Sequence, residues 1–126
     1  MNRIRKSNRP AAAALVVLLP LCITLFIPCP SRADMAAEIE HLFVYIATSG
    51  CTFNRNGDHH NSSDAGEHLR KKYGHTKRWV KTSEDFIRIT ATKSSITGQP
   101  YTVICDGVET PTAQWLADEL ARFRKN

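Results

Sequence analysis

The sequence predicts an α+β fold, with about four helices packed on a small antiparallel sheet built from two hairpins and one disulfide. Three observations carry this. The turn signals Asn56-Gly57 and Asp106-Gly107 stand 50 residues apart, each after a short strand-like run and before a capped helical stretch. Three stretches place apolar residues at helical spacing, and a fourth reads as a helix from its caps and charge order. Cys51 and Cys105 flank the two strand-like runs.

Each element has a local reason. Asp34 can cap a first helix carrying Met35, Ile39, Leu42, Phe43 and Ile46 on one face, which Ser49-Gly50 ends. Cys51–Arg55 reads as a strand leading into the Asn56-Gly57 turn. Ser62 or Ser63 caps a second helix, with Asp64 and Glu67 near its start and Arg70, Lys71 and Lys72 near its end, as the helix dipole favours; Gly74 is the expected stop. Thr82 or Ser83 caps a third helix with Phe86, Ile87 and Ala91 on one face. Ser94–Pro100 is turn-rich, and Tyr101–Cys105 is the second strand. Thr110-Pro111 predicts a cap with proline at the first helical position, opening a last helix that turns Ala113, Leu116, Ala117, Leu120 and Phe123 inward.

The chain divides into residues 1–33, a cleavable signal peptide, and residues 34–126, a single small domain. Arg3, Arg5, Lys6 and Arg9 precede an apolar run from Ala11 to Ile27, and Ser31-Arg32-Ala33 offers small residues at the −3 and −1 positions. A retained anchor is disfavoured, because Pro20 interrupts a run shorter than the roughly 20 residues that span hydrocarbon. Lipidation at Cys22 or Cys29 is disfavoured by Leu21 and Pro28, which are not small. The expected location is therefore periplasmic or secreted, with membrane contact only through the signal segment before cleavage.

Removing that segment changes the charge argument. The chain has 17 Lys and Arg against 12 Asp and Glu, but five of the basic residues precede Asp34 and no acid does. The mature balance is zero, so the basic isoelectric point gives no case for nucleic acid as a partner. An oxidising compartment favours pairing of Cys51 with Cys105. If the strands pair antiparallel with Phe53 opposite Val103, the two cysteines fall opposite one another, within bonding reach.

Several pieces carry a family resemblance: Arg55-Asn56-Gly57, Glu67-His68-Leu69-Arg70-Lys71-Lys72, Ser83-Glu84-Asp85-Phe86-Ile87 and the run from Ser94 to Tyr101. With these the chain resembles the YfeK-like family of small exported bacterial proteins, a domain of unknown function. Thr97 stands where the pattern has serine, and the His59-His60 pair is a further departure. The resemblance implies an envelope location and no particular activity.

The residues in those pieces form the candidate ligand site: Arg55, Asn56, His68, Lys72, Ser94, Ser95 and Tyr101. If Arg55 shares a face with the helix carrying His68 and Lys72, the group could hold an anion bidentately. The competing role is structural, with Arg55 bonding Glu67 and the Ser94–Pro100 loop. A second candidate is the stretch Arg70, Lys71, Lys77, Arg78, Trp79 and Lys81, which is free of acids and could meet an acidic protein or another anionic envelope component. A solvated helix end would read the same way.

Catalytic and metal readings are weaker. Five histidines fall between His41 and His75, yet there is no HExxH and no Cys/His ligand spacing, and His59 and His60 point to opposite faces of a strand. No nucleophile elbow surrounds Ser94 or Ser95. The expectation is a non-catalytic binding or accessory protein of the cell envelope with no cofactor and no metal. The alternative is an envelope hydrolase or metal-dependent protein using His68. A fainter third is an inhibitor of a cell-wall lytic enzyme, because Thr97-Gly98-Gln99-Pro100-Tyr101 resembles a loop of some exported lysozyme inhibitors.

Overall fold

A computed structural model describes residues 32–126. The expected signal peptide, apart from Arg32 and Ala33, lies outside the described residues. The elements run α1 (Arg32–Thr48), β1 (Thr52–Arg55), β2 (Asp58–His60), α2 (Ser62–Thr76), a 3₁₀ turn (Lys77–Trp79), α3 (Ser83–Phe86) continuing into a π turn (Ile87–Ala91), β3 (Thr102–Cys105), β4 (Val108–Pro111) and α4 (Thr112–Phe123). This is the α+β fold that the turns and periodicities predict.

The four strands form one antiparallel sheet in the order β2-β1-β3-β4. Asn56 and Asp106 take φ of 55° and 51°, each followed by a glycine of positive φ, which is the backbone twist a two-residue hairpin needs. Phe53 pairs with Val103, and the same register sets Cys51 against Cys105, which are bonded. Because side chains alternate along a strand, Cys51, Phe53 and Arg55 share a face with Cys105, Val103 and Tyr101.

That face is covered by helices, and the core lies between. Ile39, Leu42, Phe43 and Ile46 of α1, Leu69 of α2, Phe86 and Ile87, and Leu116 and Leu120 of α4 are buried with Phe53 and Val103. Helices α1 and α2 pack closely where Gly66 meets Ala47; a Cβ added at Gly66 would lie 3.2 Å from the Ala47 Cβ. Buried carboxylates tie the layers together. Glu38 accepts from Arg124 at 2.7 and 2.9 Å and from the Ser83 hydroxyl at 2.5 Å, linking α1 to α3 and to the end of α4. The Arg124 guanidinium, partly offset by burial, holds the Glu38 carboxyl below its ordinary value.

Local details depart from expectation at five places. α1 already includes Arg32, so Asp34 sits in its first turn rather than at a cap. Asn61, not Ser62 or Ser63, caps α2: its side-chain oxygen accepts from the Asp64 amide at 2.9 Å while its amide donates to Asp64 Oδ2. Gly74 does not stop α2. One glycine costs only about 1 kcal/mol in a helix, and tertiary contacts on both sides outweigh it: the Tyr73 ring packs on Phe86, and Thr76 Oγ1 bonds Thr90 Oγ1 at 2.9 Å. Thr110 and Pro111 belong to β4 because they pair with Val103 and Thr102, and a proline is tolerated on this edge strand. In α4, Ala117 is exposed and Glu119 is buried in its stead, its carboxylate taken up by His41 at 2.6 Å and by Arg122.

Candidate functional site

The Phe53–Val103 register, continued past the disulfide's opposite end, builds a site. One step beyond Asn54 and Thr102, Arg55 faces Tyr101 on the helix-covered side of the sheet. On β3's other flank the ladder continues to Thr112, whose amide donates to the Tyr101 carbonyl at 3.0 Å. On β1's other flank, His60 stands opposite Phe53. Helix α2 crosses above with His68, its ring 6.3 Å from Tyr101 and edge-on. Two adjoining cavities result, each of about 460 Å³, sharing Arg55, His68, Lys71 and Tyr101.

The outer cavity opens between α2 and the loop of residues 94–100. All seven residues of the first candidate set line it, so the structure brings them together. Lys71, His75 and Ile96 complete its wall, and no acid lines it. The seven differ in how they are occupied. Thr97 Oγ1 donates to Asn56 Oδ1 at 2.5 Å, pinning the loop to the hairpin. Ser94 Oγ accepts from the amides of Ile96 and Thr97, so that hydroxyl shapes the loop. Lys72 Nζ donates to the Lys93 carbonyl at 2.6 Å and sits 5.0 Å from the centre of the Tyr101 ring. The side chains of Arg55, His68 and Ser95 make no hydrogen bond or ion pair among the described residues. Arg55 therefore does not bond Glu67 or the loop.

The electrostatics follow from this crowding of positive charge. Burial first, and then the charges of Arg55, Lys72, His60 and Lys71, hold His68 below its ordinary 6.5. Burial likewise lowers Lys72 and raises the Tyr101 phenol, the latter partly offset by Arg55 and Ser94. The site thus presents a permanent guanidinium beside an imidazole whose protonation is disfavoured.

The inner cavity has an apolar floor and an acidic edge. Phe53, Ala65 and Leu69 supply its floor, and Asp64 and Glu67 join Arg55 and Lys71 around it. Three of its polar atoms are buried without a partner: His60 Nε2, His68 Nε2 and Thr112 Oγ1. The candidate set omits His60, Thr112, Asp64 and Glu67. The signal for Thr112 was present, since extending the Asp106-Gly107 hairpin register sets it against Tyr101.

The second candidate set does not form one patch. Arg70 pairs with Glu40 across the α1–α2 seam, at 2.5 and 2.9 Å, and lies over the Phe43 ring. Lys71 belongs to the two cavities above. Lys77, Arg78 and Lys81 edge a third hollow with Arg32 and Glu38. Trp79 is 52 % exposed with the Arg78 guanidinium stacked 3.8 Å from its ring centre, while its neighbour Val80 is the buried member.

Ser94 Oγ is engaged with backbone, His68 Nε2 meets no hydroxyl, and Asp85 is paired with Arg88 on another element. Among the described residues no three His, Cys, Asp or Glu side chains converge on a point that could hold a metal ion.

Comparison with known proteins agrees with the motif resemblance. The model of a family of unknown function, DUF5329, matches residues 33–124. An uncharacterized protein, YfeK, of Salmonella typhimurium is 49% identical over 92 residues, covering 72% of either chain. No solved structure matches. With 92 of the 95 described residues inside the family match and one relative 49% identical over 92 residues, the chain belongs to the DUF5329 family, the YfeK-like proteins of unknown function.

Proposed function

We propose that the mature domain is an exported, non-catalytic binding or accessory protein of the bacterial cell envelope, and that it takes an anionic group, carboxylate or phosphate, in the outer cavity. One observation carries the binding reading. Arg55 has no ion pair among the described residues, yet it lines a hollow walled by Lys71, Lys72 and His75 with no acid. An arginine fork left unpaired among other cations is poised for an anion that offers it two oxygens. The envelope reading rests on the N-terminal charge and apolar pattern and is supported by the bonded Cys51–Cys105 pair, since such bonds persist in oxidising compartments.

Sulfate tests the binding reading, because its charge does not change near neutral pH. Titration should give saturable NMR shifts at the Arg55 side chain and His68. Arg55→Gln should weaken sulfate about tenfold or more while leaving the melting temperature within about 2 °C, as Arg55 anchors nothing. A bound anion favours the imidazolium, so affinity should rise as pH falls below 6.5, the ordinary value from which His68 is lowered. Flat titrations, or affinity that falls with pH, overturn the reading.

Location has its own check. N-terminal sequencing of protein recovered from an osmotic-shock fraction should begin near Asp34. Such a cut leaves Ile39, Leu42, Phe43 and Ile46, the buried side of α1, in place. Recovery of the uncut chain from the cytosol alone would refute export.

A further inference from the structure

We infer that the two cavities together hold a short peptide with a free amino terminus and a free carboxylate, about three residues long. This rests on the anion-binding reading above, with the peptide's carboxylate as the anion, and extends it to the rest of the ligand.

The orphaned atoms make the argument. Thr112 is 1 % exposed, and its Oγ1 has no partner, although a buried hydroxyl left unpaired is costly. His60 Nε2 and His68 Nε2 are in the same condition and line the same inner cavity. A sulfate or phosphate seated on Arg55 in the outer cavity could meet His68 but leaves His60 and Thr112, which line the inner cavity alone, unused. Each can donate or accept: a hydroxyl does both, and an imidazole nitrogen does either according to tautomer. Peptide groups, each with one donor and one acceptor, are the complement such a set requires.

Charge order gives the ligand its direction and length. Along α2, Asp64 and Glu67 precede Lys71 on the face that lines the inner cavity. At 1.5 Å per residue, Asp64 and Lys71 are about 10 Å apart along the helix axis. An extended chain advances about 3.4 Å per residue, so three residues span that distance. An ammonium at the Asp64–Glu67 end and a carboxylate at the Lys71–Arg55 end would each meet its opposite charge. Between them, Phe53, Ala65 and Leu69 favour small apolar side chains.

Calorimetric titration with Ala-Ala-Ala, its N-acetyl form and its C-terminal amide tests the assignment, with sulfate as the control for the anion site. Ala-Ala-Ala should bind saturably, and each capped form should be about tenfold weaker or worse. Glu67 is exposed and makes no bond that folding needs, so Glu67→Gln should weaken Ala-Ala-Ala severalfold and leave sulfate binding unchanged. Thr112→Val should weaken the peptide and spare sulfate as well. Sulfate binding without peptide binding overturns this inference alone and leaves the anion reading standing. Silence from both removes the two together. Equal affinity for capped and uncapped peptides, or binding of glucuronic acid with none of the peptide, also overturns it.

Discussion

Cys105→Ser lowers the melting temperature of the oxidised protein by about 15 °C or more, and reduction of the native protein does the same. The bond closes a loop of 54 residues. Chain entropy then gives about 4 kcal/mol in favour of the folded state. Native domains hold a net stability of only about 5–15 kcal/mol. At this size each kcal/mol is worth about 4–8 °C, which sets the expected fall. The loss also has a direction in the structure. The disulfide closes one end of the β1–β3 ladder, and Arg55 and Tyr101 stand at the other end of it. Loosening that ladder therefore reaches the groove, and sulfate affinity should drop together with stability. A melting temperature unchanged by the substitution would refute the stabilising role of the bond.

What could be read from the residues was whatever depends on neighbours in sequence. The turn dipeptides Asn56-Gly57 and Asp106-Gly107 place both hairpins, because few residues tolerate positive φ there. A Phe53–Val103 register, posed as a condition for setting the two cysteines opposite one another, is the one the sheet adopts, and the two cysteines are bonded. Seven of the ten residues lining the outer cavity stand out as a set in the sequence, yet through motif resemblance and not through geometry. What stayed hidden depends on tertiary contact. Gly74 looks like a stop until the Tyr73 and Thr76 contacts are known. The helical pattern of Phe86, Ile87 and Ala91 cannot show that the turn widens after Phe86. Ala117 and Glu119 trade places because His41 and Arg122 give the carboxylate partners that periodicity alone does not reveal. The inner cavity shares this origin: His60, Thr112 and Asp64 come from three elements, and only the closed sheet with α2 above it brings them together.

Phe86→Ala should cost about 3–5 kcal/mol, the range for removing a fully buried aromatic ring. Phe86 is 0 % exposed, and its ring meets Phe43 at 5.1 Å and Tyr73 at 5.4 Å, both edge-on. Those three rings join α1, α2 and α3, so truncation opens a void at the point where three helices share one contact. The void cannot be closed cheaply. Gly66 already presses α2 against Ala47 of α1, and the π turn that follows Phe86 is held by Thr90 against Thr76. Phe86→Leu keeps most of the volume and should cost about 1–1.5 kcal/mol. Urea unfolding reads both, and an alanine variant within about 1 kcal/mol of the parent would show that the helices can repack around the loss. The comparison with Arg55→Gln separates support from recognition. Phe86 touches neither cavity, so its variants should lose sulfate binding only in proportion to the unfolded fraction, whereas Arg55→Gln should lose it in a fully folded protein.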